Sequence, residues 1–129
     1  MSTADNSKVP QKFLDVLAHE GPVTIVTING NPAHVVNTWM SYVSLHNGTL
    51  YLPAAGMHSI EADFPRDNHL VLAFGSKEVE GTEGAGAGFH VHGTGKFLDS
   101  GAEFDAKKAQ FPWLTRVLAV TIDSVEQKI

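Results

Sequence analysis

Cysteine is missing from this chain altogether. Its absence excludes disulfides, thiolate nucleophiles, iron–sulfur ligation and cysteine-ligated zinc together, and it is compatible with a reducing cytoplasm. Positive charge is scarce: 9 Lys and Arg stand against 14 Asp and Glu, a formal net charge of −5. Lys107-Lys108 is the one adjacent basic pair. A nucleic-acid surface ordinarily needs a basic stripe, so this balance argues against one. Long apolar runs are lacking as well, and nothing approaches the roughly 18 residues that would read as a membrane span. The first residues, Met1 to Ser7, are polar and have neither the basic start nor the apolar stretch of a signal peptide; they read as a loose tail. What is present is ordinary for a globular chain: 129 residues, 43% hydrophobic and 18% charged, enough for one core. The expectation is one cytoplasmic domain over residues 1–129.

Periodicity supplies the elements. Val9, Phe13, Val16 and Leu17 form one apolar stripe at helical spacing, with Pro10 in the first turn and Gly21 as a stop. From Val23 to Ile28 the chain is rich in β-branched residues and short, a strand. Asn29-Gly30-Asn31-Pro32 is a concentrated turn signal. Ala33 to Leu45 reads as one long strand, and His46-Asn47-Gly48 turns into a further strand, Thr49 to Pro53, completing an antiparallel meander. A short helix is expected from Met57 to Phe64, closed by Pro65, and then a buried strand from His69 to Phe74. Gly75 to Gly88 has no period and reads as a long loop. Phe89 to Leu98 alternates again, Ala102 to Gln110 reads as a helix, and Arg116 to Val125 as the last strand. The crossovers that parallel pairing needs are missing. A small, mainly β antiparallel barrel of about six strands with a few short peripheral helices fits best.

Two stretches carry chemistry. Asn37-Thr38-Trp39-Met40-Ser41-Tyr42 interrupts a strand with polar and aromatic residues where a core strand would be aliphatic. Strand aromatics are most often core, and a strict pleat puts positions 39 and 42 on opposite faces. Both reach one ligand only if the strand bulges, twists sharply or ends there. Asn37 and Thr38 need polar partners if buried, and the edge of a heterocycle would supply them. Pro53-Ala54-Ala55-Gly56-Met57-His58-Ser59 is a small-residue loop opening into a helix, where free backbone N–H groups can receive an anion. It matches neither the P-loop nor the dinucleotide fingerprint, and a glycine in a strand-to-helix connection has an ordinary structural use. His90 and His92 share one strand face, but two imidazoles without a carboxylate at a fixed offset make no metal site. No Gly-x-Ser-x-Gly elbow exists, and Lys77, Glu78 and Glu80 read as a solvated face.

Taken together, the blocks His34-Val35-Val36-Asn37-Thr38-Trp39, Ser41-Tyr42, Gly56-Met57-His58, Glu61-Ala62, Gly75-Ser76, Gly86-Ala87-Gly88-Phe89, Trp113 and Ser124-Val125-Glu126-Gln127 are distinctive. The chain resembles the small FMN-binding proteins of sulfate-reducing bacteria, split-barrel flavoproteins related to pyridoxamine 5′-phosphate oxidase and the flavin reductases. The resemblance runs from about Phe13 to Ile129. It implies a six-stranded split β-barrel, a homodimer, and one non-covalent FMN per subunit. On that analogy Asn37 and Thr38 line the isoalloxazine, Trp39 packs on it with Tyr42 and Trp113 nearby, and Ala55-Gly56 approaches its polar edge. Met57, His58, Ser59 and Ile60 surround the phosphate, Ile129 covers the flavin of the partner subunit, and Glu20 stands near the ring. The pattern departs at Ser59-Ile60, where the family has a basic and then a hydroxyl residue. Hydrogen bonds to a charged group are worth roughly 1.5–3 kcal/mol each, so phosphate binding weakens there unless Lys77 or another cation compensates. Ala55 stands where the family has glycine. The resemblance implies an FMN-dependent redox protein; the small size and the absence of a nicotinamide fingerprint favour an electron carrier over an FMN-dependent oxidoreductase of the flavin-reductase or pyridoxamine-phosphate-oxidase type. A non-redox split-barrel dimer that has lost FMN is a third reading.

Overall fold

A computed structural model describes residues 9–129; the tail expected over residues 1–7 lies outside them. The described chain runs α1 (Gln11–Leu17), β1 (Pro22–Thr27), β2 (Val35–Trp39), a 3-10 turn (Met40–Tyr42), β3 (Ser44–His46), β4 (Thr49–Ala54), α2 (His58–Asp63), β5 (His69–Gly81), β6 (Gly84–Leu98), α3 (Ala102–Gln110) and β7 (Arg116–Gln127). The strands form one seven-stranded sheet in the order β2-β1-β5-β6-β7-β4-β3, and every pairing is antiparallel.

That order dictates the shape. The two edge strands, β2 and β3, are consecutive in sequence and separated by residues 40–43 alone. Five Cα steps reach at most about 18 Å. Laid flat, seven strands would hold their edges about 29 Å apart. The sheet therefore curls until its edges approach, and the Met40–Tyr42 turn bridges the seam. The expected small antiparallel barrel is present in this curled form.

The count is seven strands rather than six because the single strand expected over residues 33–45 is broken. Met40 N–H donates to the Gly21 carbonyl at 2.8 Å, while the Glu20 carboxylate accepts the Ser41 N–H at 2.9 Å and the Ser41 hydroxyl at 2.7 Å. These bonds divert the backbone from the β1 ladder and turn it toward β4.

The loop expected over residues 75–88 is also a correction. It is the far half of the β5–β6 hairpin, with Gly75 opposite Gly88, Ser76 opposite Ala87 and Gly81 opposite Gly84. Its glycines hide strand periodicity because they carry no side chain to alternate, yet close packing needs the ones at 81 and 88. A Cβ on Gly81 would collide with the Gly86 carbonyl oxygen. A register shift between Ser76 and Glu80 marks a bulge.

The core fills the inside of the curl. Ile25, Leu50, Leu52, Leu70, Leu72, Val91, Leu118 and Val120 are fully buried at alternate positions of their strands, as a one-face-in sheet requires. Helix α1 covers one opening by inserting Phe13, which meets Phe74 and Phe89 edge-to-face at 5.1 and 5.6 Å. Helix α2 is tied to the β1–β2 hairpin by Asp63, whose carboxylate accepts the Thr27 hydroxyl at 2.7 Å and meets His34 Nδ1 at 2.8 Å. Those hydrogen bonds, the one with His34 foremost, hold the Asp63 carboxyl below its usual range. Among the described residues no helix is long and apolar enough to cross a membrane.

Candidate functional site

Strand β2 ends where the polar and aromatic block lies, which resolves the facing problem posed by a strict pleat. Trp39 is the last strand residue and Tyr42 the last of the 3-10 turn, so the change of backbone geometry lets both border one space. Tyr42 sits in a ring cluster, with centroids 4.9 Å from Phe111 and 5.7 Å from Trp113. Trp39 and Trp113 remain 49% and 50% exposed, a large apolar area left open to solvent.

Beneath this wall lies a buried cation. Lys107 of α3 donates its ammonium to the Tyr42 carbonyl and stands 5.5 Å from the Phe111 ring centre. Burial lowers its pKa to about 8, against the raising influence of Glu103 one helical turn earlier. Glu103 in turn pairs with His46 Nδ1 at 2.9 Å.

The opposite wall is the connection from β4 to α2. Met57 has φ 63° and ψ 25°, left-handed for a residue with a side chain, which is uncommon. Gly56 is exposed, and a Cβ placed on it would meet nothing within 4 Å. Neither packing nor a positive φ explains glycine there, so its bare backbone borders free space. The Ala55 and Gly56 carbonyls both accept from the Arg116 guanidinium.

Between the walls is a cleft of about 300 Å³. Eight of the twelve residues expected at the cofactor line it: Asn37, Thr38, Trp39 and Tyr42 on one side, Ala55, Gly56 and Met57 on the other, with Trp113 above. Thr38 is 7% exposed, and its hydroxyl has no hydrogen-bond partner among the described residues. Asn37 is exposed instead of buried, and its Oδ1 accepts the Thr24 hydroxyl at 2.8 Å. Val36 and Pro53 also line the cleft; as an aliphatic strand residue and a strand-end proline they carried no sequence signal. Arg116 was missed for the same reason, being a single cation at the start of a strand.

The other expected residues lie elsewhere. His58 is exposed and Ser59 half-buried in the first turn of α2. Ile60 is fully buried in the core, so its side chain is unavailable to a ligand. Ile129 lines a separate shallow groove with Gly88, Pro22 and Lys77, and its N–H and C=O both pair with Gly88. Lys77 is therefore not at the β4–α2 loop. Glu20 does not line the cleft; its bonds to Ser41 hold its carboxyl below the usual range and hold the 3-10 turn in place. His92 meets Glu126 at 3.5 Å, and among the described residues no group of three His, Asp or Glu converges as a metal site would.

The curled antiparallel sheet is shared with solved structures at low identity, which fixes the fold class. A candidate pyridoxamine 5′-phosphate oxidase from Listeria innocua superposes with TM-score 0.63 at 12% identity over 91% of this chain and 93% of that one. An FMN-binding protein from Syntrophomonas wolfei subsp. wolfei does so with TM-score 0.64 at 16% identity, covering 83% and 76%. No family model matches the sequence. The fold is thus that of the pyridoxamine 5′-phosphate oxidase-like barrels. At the level of sequence, the FMN-binding protein of Nitratidesulfovibrio vulgaris (strain DSM 19637 / Miyazaki F) is 38% identical over 122 residues, 94% of this chain and 99% of that protein. The chain belongs to the family of that FMN-binding protein.

Proposed function

We propose that this protein binds FMN without a covalent bond in the cleft between β2 and the β4–α2 loop, and works as a small electron-transfer flavoprotein. The observation that carries the reading is the free space over Gly56, where a Cβ would touch nothing, inside a cleft walled by half-exposed Trp39 and Trp113. A flat heterocycle fits such a slot. Indole and phenol rings supply stacking area, and the unpartnered Thr38 hydroxyl supplies a polar contact to the ring. Membership in the family of an FMN-binding protein supports the same ligand.

In this reading Asn37 and Thr38 orient the ring's polar atoms, Trp39, Tyr42 and Trp113 exclude water from its faces, and the Ala55-Gly56 backbone meets its edge. His58 and the Ser59 hydroxyl serve the phosphate, joined by the backbone N–H groups of His58 and Ser59; Ile60 contributes backbone alone. FMN, when bound, supplies the redox chemistry, and the protein supplies position and electrostatics. The cleft lining contains no carboxylate or imidazole among the described residues, which leaves the Tyr42 phenol as its one titratable side chain. That favours a carrier over the oxidoreductase alternative. We assign the working form as a cytoplasmic homodimer, in which Ile129, 57% exposed, covers the flavin of the partner subunit.

Colour and reduction test the proposal. The purified protein, or the protein reconstituted with FMN, is expected to be yellow and to quench the flavin's fluorescence stoichiometrically. A colourless protein that takes up no FMN would sink the flavin reading and leave the non-redox dimer. Rapid, saturable bleaching by NADH or NADPH in stopped flow would instead favour the enzyme.

A further inference from the structure

The geometry points to Arg116 as the positioning residue of this site: its guanidinium turns the Ala55 and Gly56 carbonyls away from the cleft and so presents the following N–H groups to the ring's polar edge. This rests on the flavin assignment proposed above. The argument begins with the peptide unit, which is planar and trans, so its C=O and N–H point in opposite directions. Arg116 Nη1 donates to the Ala55 carbonyl at 3.4 Å and Nη2 to the Gly56 carbonyl. The peptide N–H groups opposite those carbonyls belong to Gly56 and Met57. Neither has a hydrogen-bond acceptor among the described residues, and both residues line the cleft.

The rest of the guanidinium is committed. Nη1 also donates to the Thr115 hydroxyl at 2.7 Å, and Nη2 pairs with Glu61 Oε1 at 3.0 Å. The fifth donor, Nε, is buried without a partner, and the guanidinium lies 4.9 Å from the Phe97 ring centre. With its Nη donors turned to the loop, Thr115 and Glu61, and Nε sealed, Arg116 is placed to shape the loop and not to touch the flavin phosphate. Thr115 extends the same arrangement, since its N–H donates to the Ala54 carbonyl at 2.9 Å. Lysine could not substitute, because only a planar fork reaches two successive carbonyls and a carboxylate at once.

N–H groups aimed at the ring's polar edge favour the charge that reduction places there. Losing Arg116 therefore has a signature distinct from loss of a phosphate contact. FMN and riboflavin, which lacks the phosphate, are titrated into wild type, Arg116→Met and Arg116→Lys, and the midpoint potential of the bound flavin is measured. The expected result is a loss of about tenfold, equal for FMN and riboflavin, in both variants, with the potential lowered. A loss confined to FMN would assign Arg116 to the phosphate and overturn the proposal. Unchanged affinity, or a loss of affinity with unchanged potential, would overturn it as well. If the variants do not fold, amide NMR of the wild type decides. The Gly56 and Met57 signals are expected to shift on adding riboflavin, and their standing still counts against the proposal. A wild type that binds neither flavin removes the underlying flavin assignment, an outcome separate from all of these.

Discussion

Gly56 is the residue on which the ligand argument turns, because its missing side chain serves no purpose internal to the protein. The glycine at position 81 is required by a neighbouring backbone, whereas Gly56 faces open space. Gly56→Val is therefore expected to change the unfolding free energy of the flavin-free protein by no more than a surface substitution does, about 0.5 kcal/mol in a denaturant titration, while filling the slot. FMN affinity should fall at least tenfold; equal affinity in a fluorescence titration would show that the slot is not where the ring lies. Thr38 makes the complementary point. Its hydroxyl has no protein partner among the described residues and is not sealed from solvent, so it is free to bond a heterocycle that enters the cleft. The importance of both residues was legible in the sequence, but for different reasons than the structure supplies. Asn37 and Thr38 read as a matched polar pair, yet Asn37 is exposed and already bonded to Thr24, so only the Thr38 hydroxyl is free for a ligand.

At the scale of elements, the 3-10 turn between β2 and β3 and the helix α3 behind it work as one unit. The Lys107 ammonium reaches from α3 to the Tyr42 carbonyl and so pins the aromatic wall. Its pKa is lowered by burial to about 8 from an ordinary 10.5. Between these values the unfolded chain binds a proton that the native protein has released, so stability rises with pH across that window. Denaturation midpoints of wild type relative to Lys107→Met are expected to climb from pH 8 to 9.5, because the variant has no such proton to lose; a constant difference would contradict this. Helix boundaries were legible where a breaker or turn residue stood: α3 runs over Ala102–Gln110, as its pattern predicts, and α2 falls within the expected span. The break at Met40 was not legible. It depends on the Gly21 carbonyl and the Glu20 carboxylate, about twenty positions away in the chain, and no local pattern encodes a bond of that range.

For the molecule as a whole, one core cluster links α1, α2 and all the long strands, and the sheet's two edges are joined by a single short turn. Such an arrangement should unfold in one step. Far-UV circular dichroism, reporting the sheet, and tryptophan fluorescence, reporting Trp39 and Trp113 at the cleft, are expected to give coincident denaturant curves. Phe89→Ala removes the ring that Phe13 packs against and should shift both curves together, by about 3–5 kcal/mol. A fluorescence change that precedes the sheet transition would mean that the cleft melts by itself.

Much of this architecture was settled by the sequence alone. Alternating β-branched runs, turn residues and the lack of crossovers dictate an antiparallel, mainly β chain, because side-chain period and turn chemistry are local properties. The blocks around Asn37 to Tyr42 and Ala55 to Met57 likewise mark the cleft's two walls, since the residue types that stack on and bond to a heterocycle are visible in a string of letters. Tertiary structure alone decided how those walls meet. Closing the sheet brings β2 and β3, its two edges, to one seam; ending β2 at Trp39 lets Tyr42 turn to the same space; and Arg116, distant in sequence, orients the loop opposite. Each of these rests on contacts between residues far apart in the chain, and their geometry exists only once the sheet has curled.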